Sequence, residues 1–299
     1  MLVAHSTIDT ASLAALVARE YGGGDVPVFV PGAGGDSWCY RAGDWWVSVR
    51  RDRHGHVPEA YEAAHELREG GLEFVLAPAR GRCGALVHVV DGRFRVVVFP
   101  FVHGALLHSG LVPRADAAAI GAMVGRLHAA SVKAELPSEN FEMPFASELA
   151  DGLDAARRGA SDAGPYGDTV SALVHANERA IDDWQAEMAS VAAACRSDPG
   201  EFVLTHGEPD GGNVLAAENQ ALLLIDWGGL CWAPPERDLR SLREMGLSTS
   251  ARPAFLRYYE LQWILSEVAE YVSRFVHPHA GGAEDHEKWT ELLKYLSRP

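Results

Sequence analysis

Apolar positions recur along the chain at two periods, and the balance shifts near residue 100. Leu13, Leu16 and Val17 form a stripe at helical spacing, with Thr7 or Thr10 as the cap and Gly22-Gly23-Gly24 as the stop. Residues 26–30, 38–41 and 45–50 read as short strands, the last two joined by a tight turn at Ala42-Gly43-Asp44. A helix follows over 58–69, with Pro58 in its first turn and Gly70-Gly71 past its end. Residues 85–90 and 94–99 read as two more strands, and 100–104 as a connector. Beyond it the spacing is helical over 115–130, 148–158 (interrupted by Gly152), 169–194, from 236 onward, and most regularly over 255–275. Two β regions, 202–205 and 222–225, break that series. The pattern predicts an α+β chain. A small part with an antiparallel sheet and one main helix, residues 1–101, precedes a larger, mostly helical part, residues 102–299.

Composition adds bounds. At 299 residues, 47% hydrophobic and 22% charged, the chain has enough apolar material for a sizeable core. That excludes a disordered tail and a disulfide-stapled miniprotein. Charge narrows the partners. With 26 basic and 41 acidic residues, the net charge is −15. Such a surface repels nucleic acid and anionic membranes and attracts a cationic small molecule. Cys39, Cys83, Cys195 and Cys231 form no CxxC pair and show no metal-ligand spacing, which fits a reducing cytoplasm. No basic start followed by an apolar run, and no run of 18 apolar residues, suggests a signal peptide or a membrane span. The chain is expected to be a monomer or homodimer. Only three of the basic residues are lysine: Lys133, Lys288 and Lys294.

The chemistry concentrates in residues 204–226. A polar loop, His206-Gly207-Glu208-Pro209-Asp210-Gly211-Gly212-Asn213, lies between two hydrophobic strands, and Asp226 ends the later one. Phosphoryl transfer needs a carboxylate to orient and deprotonate the attacking hydroxyl. It also needs an amide oxygen and a second carboxylate to hold Mg²⁺ against nucleotide phosphates. His206, Glu208 and Asn213 keep the spacing of the kinase motif H-R-D-x-x-x-x-N, and Asp226 takes the position of the acid in D-F-G. Glu208 is the candidate base and Asp210 the second candidate. His206 belongs to the same catalytic loop as a hydrogen-bonding residue. Asn213 and Asp226 are the candidate metal ligands.

These motifs, with the "VSVRRD" strand, "FPFVHG", "GRLHA" and "IDWGGLCWAPPERDL", resemble the aminoglycoside phosphotransferase family over nearly the whole chain. The resemblance implies a bilobal protein-kinase-like fold, ATP or GTP as co-substrate, Mg²⁺, and a small-molecule hydroxyl acceptor. It places a phosphate-covering turn at Gly34, Gly35 and Ser37, with Asp36 beside it. Where the family has aspartate, this chain has Glu208, one methylene longer. Where the family has its phosphate-binding lysine, this chain has Ser48. Arg50, two residues on, points to the same strand face and is the candidate substitute; the alternative is a surface arginine beside Arg51 and Arg53. Glu59, grouped with Ala63 and Leu67 by helical spacing, is its candidate carboxylate partner, with Glu62 second. Pro100, by its carbonyl, and Val102, by its N–H, are the candidate contacts to a purine. Asp238 is expected to brace the catalytic loop through backbone hydrogen bonds.

The implied activity is transfer of a γ-phosphate to a hydroxyl of an antibiotic of aminoglycoside, nucleoside or peptide type, for resistance or producer self-protection. Two alternatives stand beside it: a metabolic small-molecule kinase of the same fold, and a non-catalytic nucleotide-binding pseudokinase. Acids Glu148, Asp151, Asp154, Asp182, Asp183, Glu267 and Glu270, and aromatics Trp184, Tyr258, Tyr259, Trp263 and Tyr271, supply an acceptor site or an ordinary helix surface and core.

Overall fold

The first helix, α1 (Thr10–Glu20), starts where a side chain satisfies its free N–H groups. Asp9, not Thr7 or Thr10, is that cap: its carboxylate accepts from Ala11 N at 3.0 Å and Ser12 N at 3.1 Å. A carboxylate at a helix N-terminus also meets the positive end of the dipole, which a threonine would not exploit. This is a computed structural model, and it describes residues 3–33, 37–51, 57–107 and 112–296. Of the expected phosphate-covering residues, Gly34 and Gly35 lie outside the described residues, as does Asp36 beside them.

A five-stranded antiparallel sheet follows, built from β1 (Val28–Phe29), β2 (Trp38–Ala42), β3 (Trp45–Arg51), β4 (Val87–Val90) and β5 (Phe94–Pro100), in the order β1-β2-β3-β5-β4. Register sorts its faces. Tyr40 pairs Val47 and Val47 pairs Val98, so these side chains share one face and bury against Leu13, Leu16 and Val17 of α1. Cys39 pairs Ser48 and Ser48 pairs Val97, so this second row lies on the opposite face. Helix α2 (Pro58–Glu69) supplies Tyr61 to that face, where it packs with Leu86 and Val97.

The catalytic segment is built on short strands. A three-stranded sheet joins β6 (Gly104–Leu106), β8 (Val214–Ala217) and β9 (Leu222–Leu224), and β7 (Val203–Thr205) pairs β10 (Cys231–Ala233). The loop after α2 fastens to β9: Leu224 N donates to the Phe74 carbonyl at 2.7 Å, and Leu76 N to the Leu224 carbonyl at 3.1 Å. One core joins these strands with Ala60, Ala63, Ala64 and Leu67 of α2, Ile120, Val124 and Leu127 of α3 (Arg114–His128), and Trp227.

The remaining helices are α4 (Ala146–Arg158), α5 (Gly167–Ser197), α6 (Glu236–Glu244), α7 (Pro253–Phe275) and α8 (Ala283–Leu296). Gly152, which weakened the sequence signal of α4, is buried against Val272 of α7: a Cβ there would lie 3.4 Å from a Val272 methyl. β6 and β10 had no counterpart in the sequence pattern, whereas α8 falls in the helical series read from residue 236 onward. β6 and β10 are three residues each, too short for a period to register.

The chain forms two compact units. One comprises residues 1–139 and 200–251, and so contains the antiparallel sheet together with α2, α3, α6 and β6–β10. The other comprises residues 140–199 and 252–299, with α4, α5, α7 and α8. The boundary expected at 101/102 falls inside the first unit.

Candidate active site

Two turns set the site. The loop after β7 carries His206 to Asn213, and the turn after β9 carries Asp226. His206 is 3% exposed and has both ring nitrogens engaged. Nε2 donates to the Ile225 carbonyl at 2.8 Å, and Nδ1 accepts from Glu208 N at 3.3 Å. That pattern is the neutral imidazole, and burial lowers its pKa in agreement. The ring packs edge-on to Trp227, whose Nε1 donates to the Leu224 carbonyl at 2.9 Å. His206 therefore ties the two turns together and has no nitrogen left to move a proton.

Asp238, in the first turn of α6, is fully buried. Its Oδ2 accepts from His206 N at 3.0 Å and from His128 Nε2 at 3.0 Å, and its Oδ1 from Gly207 N at 2.6 Å. The expected brace is in place, and His128 of "GRLHA" is its third contact. Burial raises the Asp238 pKa, but the hydrogen bond and charge of His128, with Arg237 and His206, outweigh it and hold the carboxyl below its ordinary value.

Glu208 is the perturbed acid. Burial first, then the charges of Asp226 and Asp210, push its pKa up to about 7, against the opposing pull of Arg240 and Arg237. Asp210 is committed to the backbone: its Oδ1 accepts from Gly212 N at 2.7 Å and caps the short helical turn Gly211–Asn213. Asn213 Nδ2 donates to the Glu208 carbonyl at 3.0 Å, and Asn213 O accepts from Ile225 N at 2.9 Å. Asp226 is exposed and takes the left-handed conformation, φ 63° and ψ 57°. Aspartate tolerates that region better than most side chains, and the turn re-aims the chain as β9 ends.

On the sheet, Ser48 is buried in the row with Cys39 and Val97. Ser37 is also buried, its hydroxyl 3.4 Å from Cys39 Sγ. Arg50 lies on the same face as Ser48, is 9% exposed, and pairs in register with Arg95. Both arginines line a small cavity with Pro58 and Tyr61. Glu59 corrects an expectation: it is exposed, and the buried stripe of α2 is Ala60, Ala63, Ala64 and Leu67. Each i, i+4 step turns about 40° past a full circle, so Glu59 stands about 80° round the helix from Leu67, and Ala60 and Tyr61 take the buried side of the first turn instead. Glu62 is ion-paired with Arg80 at 2.6 Å. Pro100 and Val102 line a cavity of about 340 Å³ with Val75, Ala77, Ala79 and Leu223. Phe101 N donates to the Asp44 carbonyl at 2.7 Å.

Sequence spacing missed Arg237. Its Nη1 donates to Thr205 Oγ1 at 3.0 Å, and its Nη2 to the Gly229 carbonyl at 3.1 Å. Arg237 and Gly229 both lie in the "IDWGGLCWAPPERDL" motif, but no spacing in it predicts their bond or the contact with Thr205.

A half-buried carboxylate near an asparagine and a second acid, on the loops that follow two short strands, fits a kinase-like phosphotransferase. The sequence model of the phosphotransferase enzyme family matches residues 40–297, and the chain belongs to that family. It is 42% identical over 274 residues to Protein StrN of Streptomyces griseus, covering 89% of this chain and 85% of that one. Its fold is similar to that of spectinomycin phosphotransferase APH(9)-Ia, solved with ADP and spectinomycin, with a TM-score of 0.75 at 17% identity over 98% of this chain and 94% of the other. It is also similar to a microcompartment-associated aminopropanol kinase, with a TM-score of 0.62 at 14% identity over 97% and 94% of the two chains. Among the described residues no helix is long and apolar enough to cross a membrane.

Proposed function

We propose that this chain transfers the γ-phosphoryl group of ATP or GTP to a hydroxyl of a small-molecule antibiotic in the cytoplasm. The observation that carries the reading is the bond from Asn213 Nδ2 to the Glu208 carbonyl. It commits the amide nitrogen to the base loop and leaves the amide oxygen as the arm for a hard cation.

In this reading Glu208 accepts the proton of the acceptor hydroxyl as its oxygen bonds to the γ-phosphorus and the bond to the nucleoside diphosphate breaks. Asp210 ranks second, because one of its oxygens already caps a turn. His206 positions the loop. Asn213 and Asp226 would hold Mg²⁺, which supplies charge neutralisation at the phosphates when bound. The donor set fits a cation. Glu208 is pushed up partly because Asp226 and Asp210 crowd it with negative charge. Among the described residues no group of three His, Cys, Asp or Glu is arranged to hold a metal. An asparagine–aspartate pair completed by phosphate oxygens and water is an ordinary Mg²⁺ environment.

Residues 1–101 form the nucleotide-binding lobe in this reading, and residues 102–299 carry the catalytic loop and the acceptor site. The Phe101 N–H points to Asp44, so in extended chain the Pro100 carbonyl and Val102 N–H face the other way, toward a purine edge. Arg50, on the lysine-position face, supplies the cation for the phosphates, and Gly34, Gly35 and Ser37 cover them.

The test is nucleotide consumption. Purified protein, Mg²⁺, and ATP or GTP are combined with aminoglycoside, nucleoside and peptide antibiotics, and products are weighed for a phosphate gain. Turnover with one antibiotic is expected. Glu208→Ala should lower it by roughly 10²–10⁴-fold, and Asn213→Ala should raise the magnesium requirement. A protein that binds no nucleotide in the presence of Mg²⁺ overturns the reading.

A further inference from the structure

The two acids of the site arrive on different strands, Glu208 after β7 and Asp226 after β9, so something must fix one loop against the other. Arg237 does this from the first turn of α6. Its Nη1 donates to the Thr205 hydroxyl at 3.0 Å and to the Thr205 carbonyl at 3.4 Å, while its Nη2 donates to the Gly229 carbonyl at 3.1 Å. Thr205 stands three residues before Glu208, and Gly229 three residues after Asp226. The Thr205 hydroxyl passes the bond on to the Cys231 carbonyl at 3.1 Å.

The guanidinium also rests against Gly207, the residue before Glu208. A Cβ at Gly207 would come within 2.5 Å of Nη2, and the backbone there has φ +103°. Gly207 thus gives up its side chain at the point where the fork passes beneath the loop.

We propose that Arg237 is a positioning residue for phosphoryl transfer, one planar fork that holds the base-bearing loop and the metal-bearing turn in register. The inference rests on the roles given above to Glu208 and Asp226. Charge alone does not serve: a lysine ammonium carries no planar fork and cannot reproduce the paired geometry to Thr205 and Gly229.

The test compares Arg237→Lys, Gly207→Ala, Arg237→Ala and the double variant Gly207→Ala/Arg237→Ala, after wild-type turnover and nucleotide affinity are measured. Arg237→Lys should lose about 10- to 100-fold in kcat, with the KM for nucleotide changed less than about threefold, because a loop displaced by a fraction of an ångström misaligns the base. Gly207→Ala should lose as much, but far less when added to Arg237→Ala, because the clash has gone. The backbone strain of alanine at this φ is common to both backgrounds and cancels in the cycle. If Arg237→Lys fails to fold, the same cycle read on thermal stability still reports the coupling. Full kcat in Arg237→Lys, or additive losses in the cycle, overturns the inference and leaves the Glu208 assignment standing. A wild type without nucleotide binding removes that assignment and this inference together.

Discussion

Glu208 pits stability against function within one side chain. Its folded pKa is raised to about 7, so the native state prefers the neutral acid. Stability is therefore highest below the unfolded carboxyl value and falls as pH rises through 7. Glu208→Gln keeps the neutral shape and removes the charge. At pH 8, without Mg²⁺, it should be more stable than wild type by on the order of 2 kcal/mol, while losing transfer activity. Thermal melts at pH 4 and 8 check this, since the gain should all but vanish at pH 4, below the unfolded carboxyl value. That Glu208, Asn213 and Asp226 come together was legible in the sequence because a loop and a strand end fix their spacing locally. Arg237 was not, since its acceptors lie on two other segments. Glu59 misled because helical spacing says which residues share a stripe, not where the stripe meets the sheet; the side chain α2 presents there is Tyr61.

At the scale of elements, α6 is the keystone of the site. Asp238 in its first turn satisfies two backbone N–H groups of the catalytic loop and meets His128 at the end of α3. Asp238→Asn leaves one of these donors facing an amide N–H₂ and removes the buried negative charge on which they converge. It should cost about 3 kcal/mol by urea denaturation at pH 7. The folded pKa of Asp238 is depressed, so its contribution is present above the unfolded value and is lost as pH falls. The gap between variant and wild type should accordingly begin to narrow only below about pH 4. The family signature "PPERDL" announced the acid, and the burial of Asp238 shows why the helix must begin there: its cap region is the floor of the loop.

At the scale of the molecule, neither compact unit is continuous in sequence. The chain leaves the first unit at residue 139, returns at 200, and leaves again at 251. The apolar core around Ala60, Ala63, Leu67 and Ile120 is completed by Leu204, Val214, Leu224 and Trp227, on the far side of a 60-residue excursion. A chain of residues 1–199 should therefore show no cooperative thermal transition and should bind a hydrophobic dye, whereas the full chain melts cooperatively. A fragment that melts cooperatively would contradict this. On the ribosome, the antiparallel sheet emerges early, but the surface of α2 (ending at Glu69) meant for β9 (Leu222–Leu224) and Trp227 stays bare while about 155 further residues are made. At about 5–20 residues per second that wait lasts roughly 8–30 seconds. Active yield should therefore depend on how fast the middle of the message is translated, which expression from messages slowed there and left unslowed would measure.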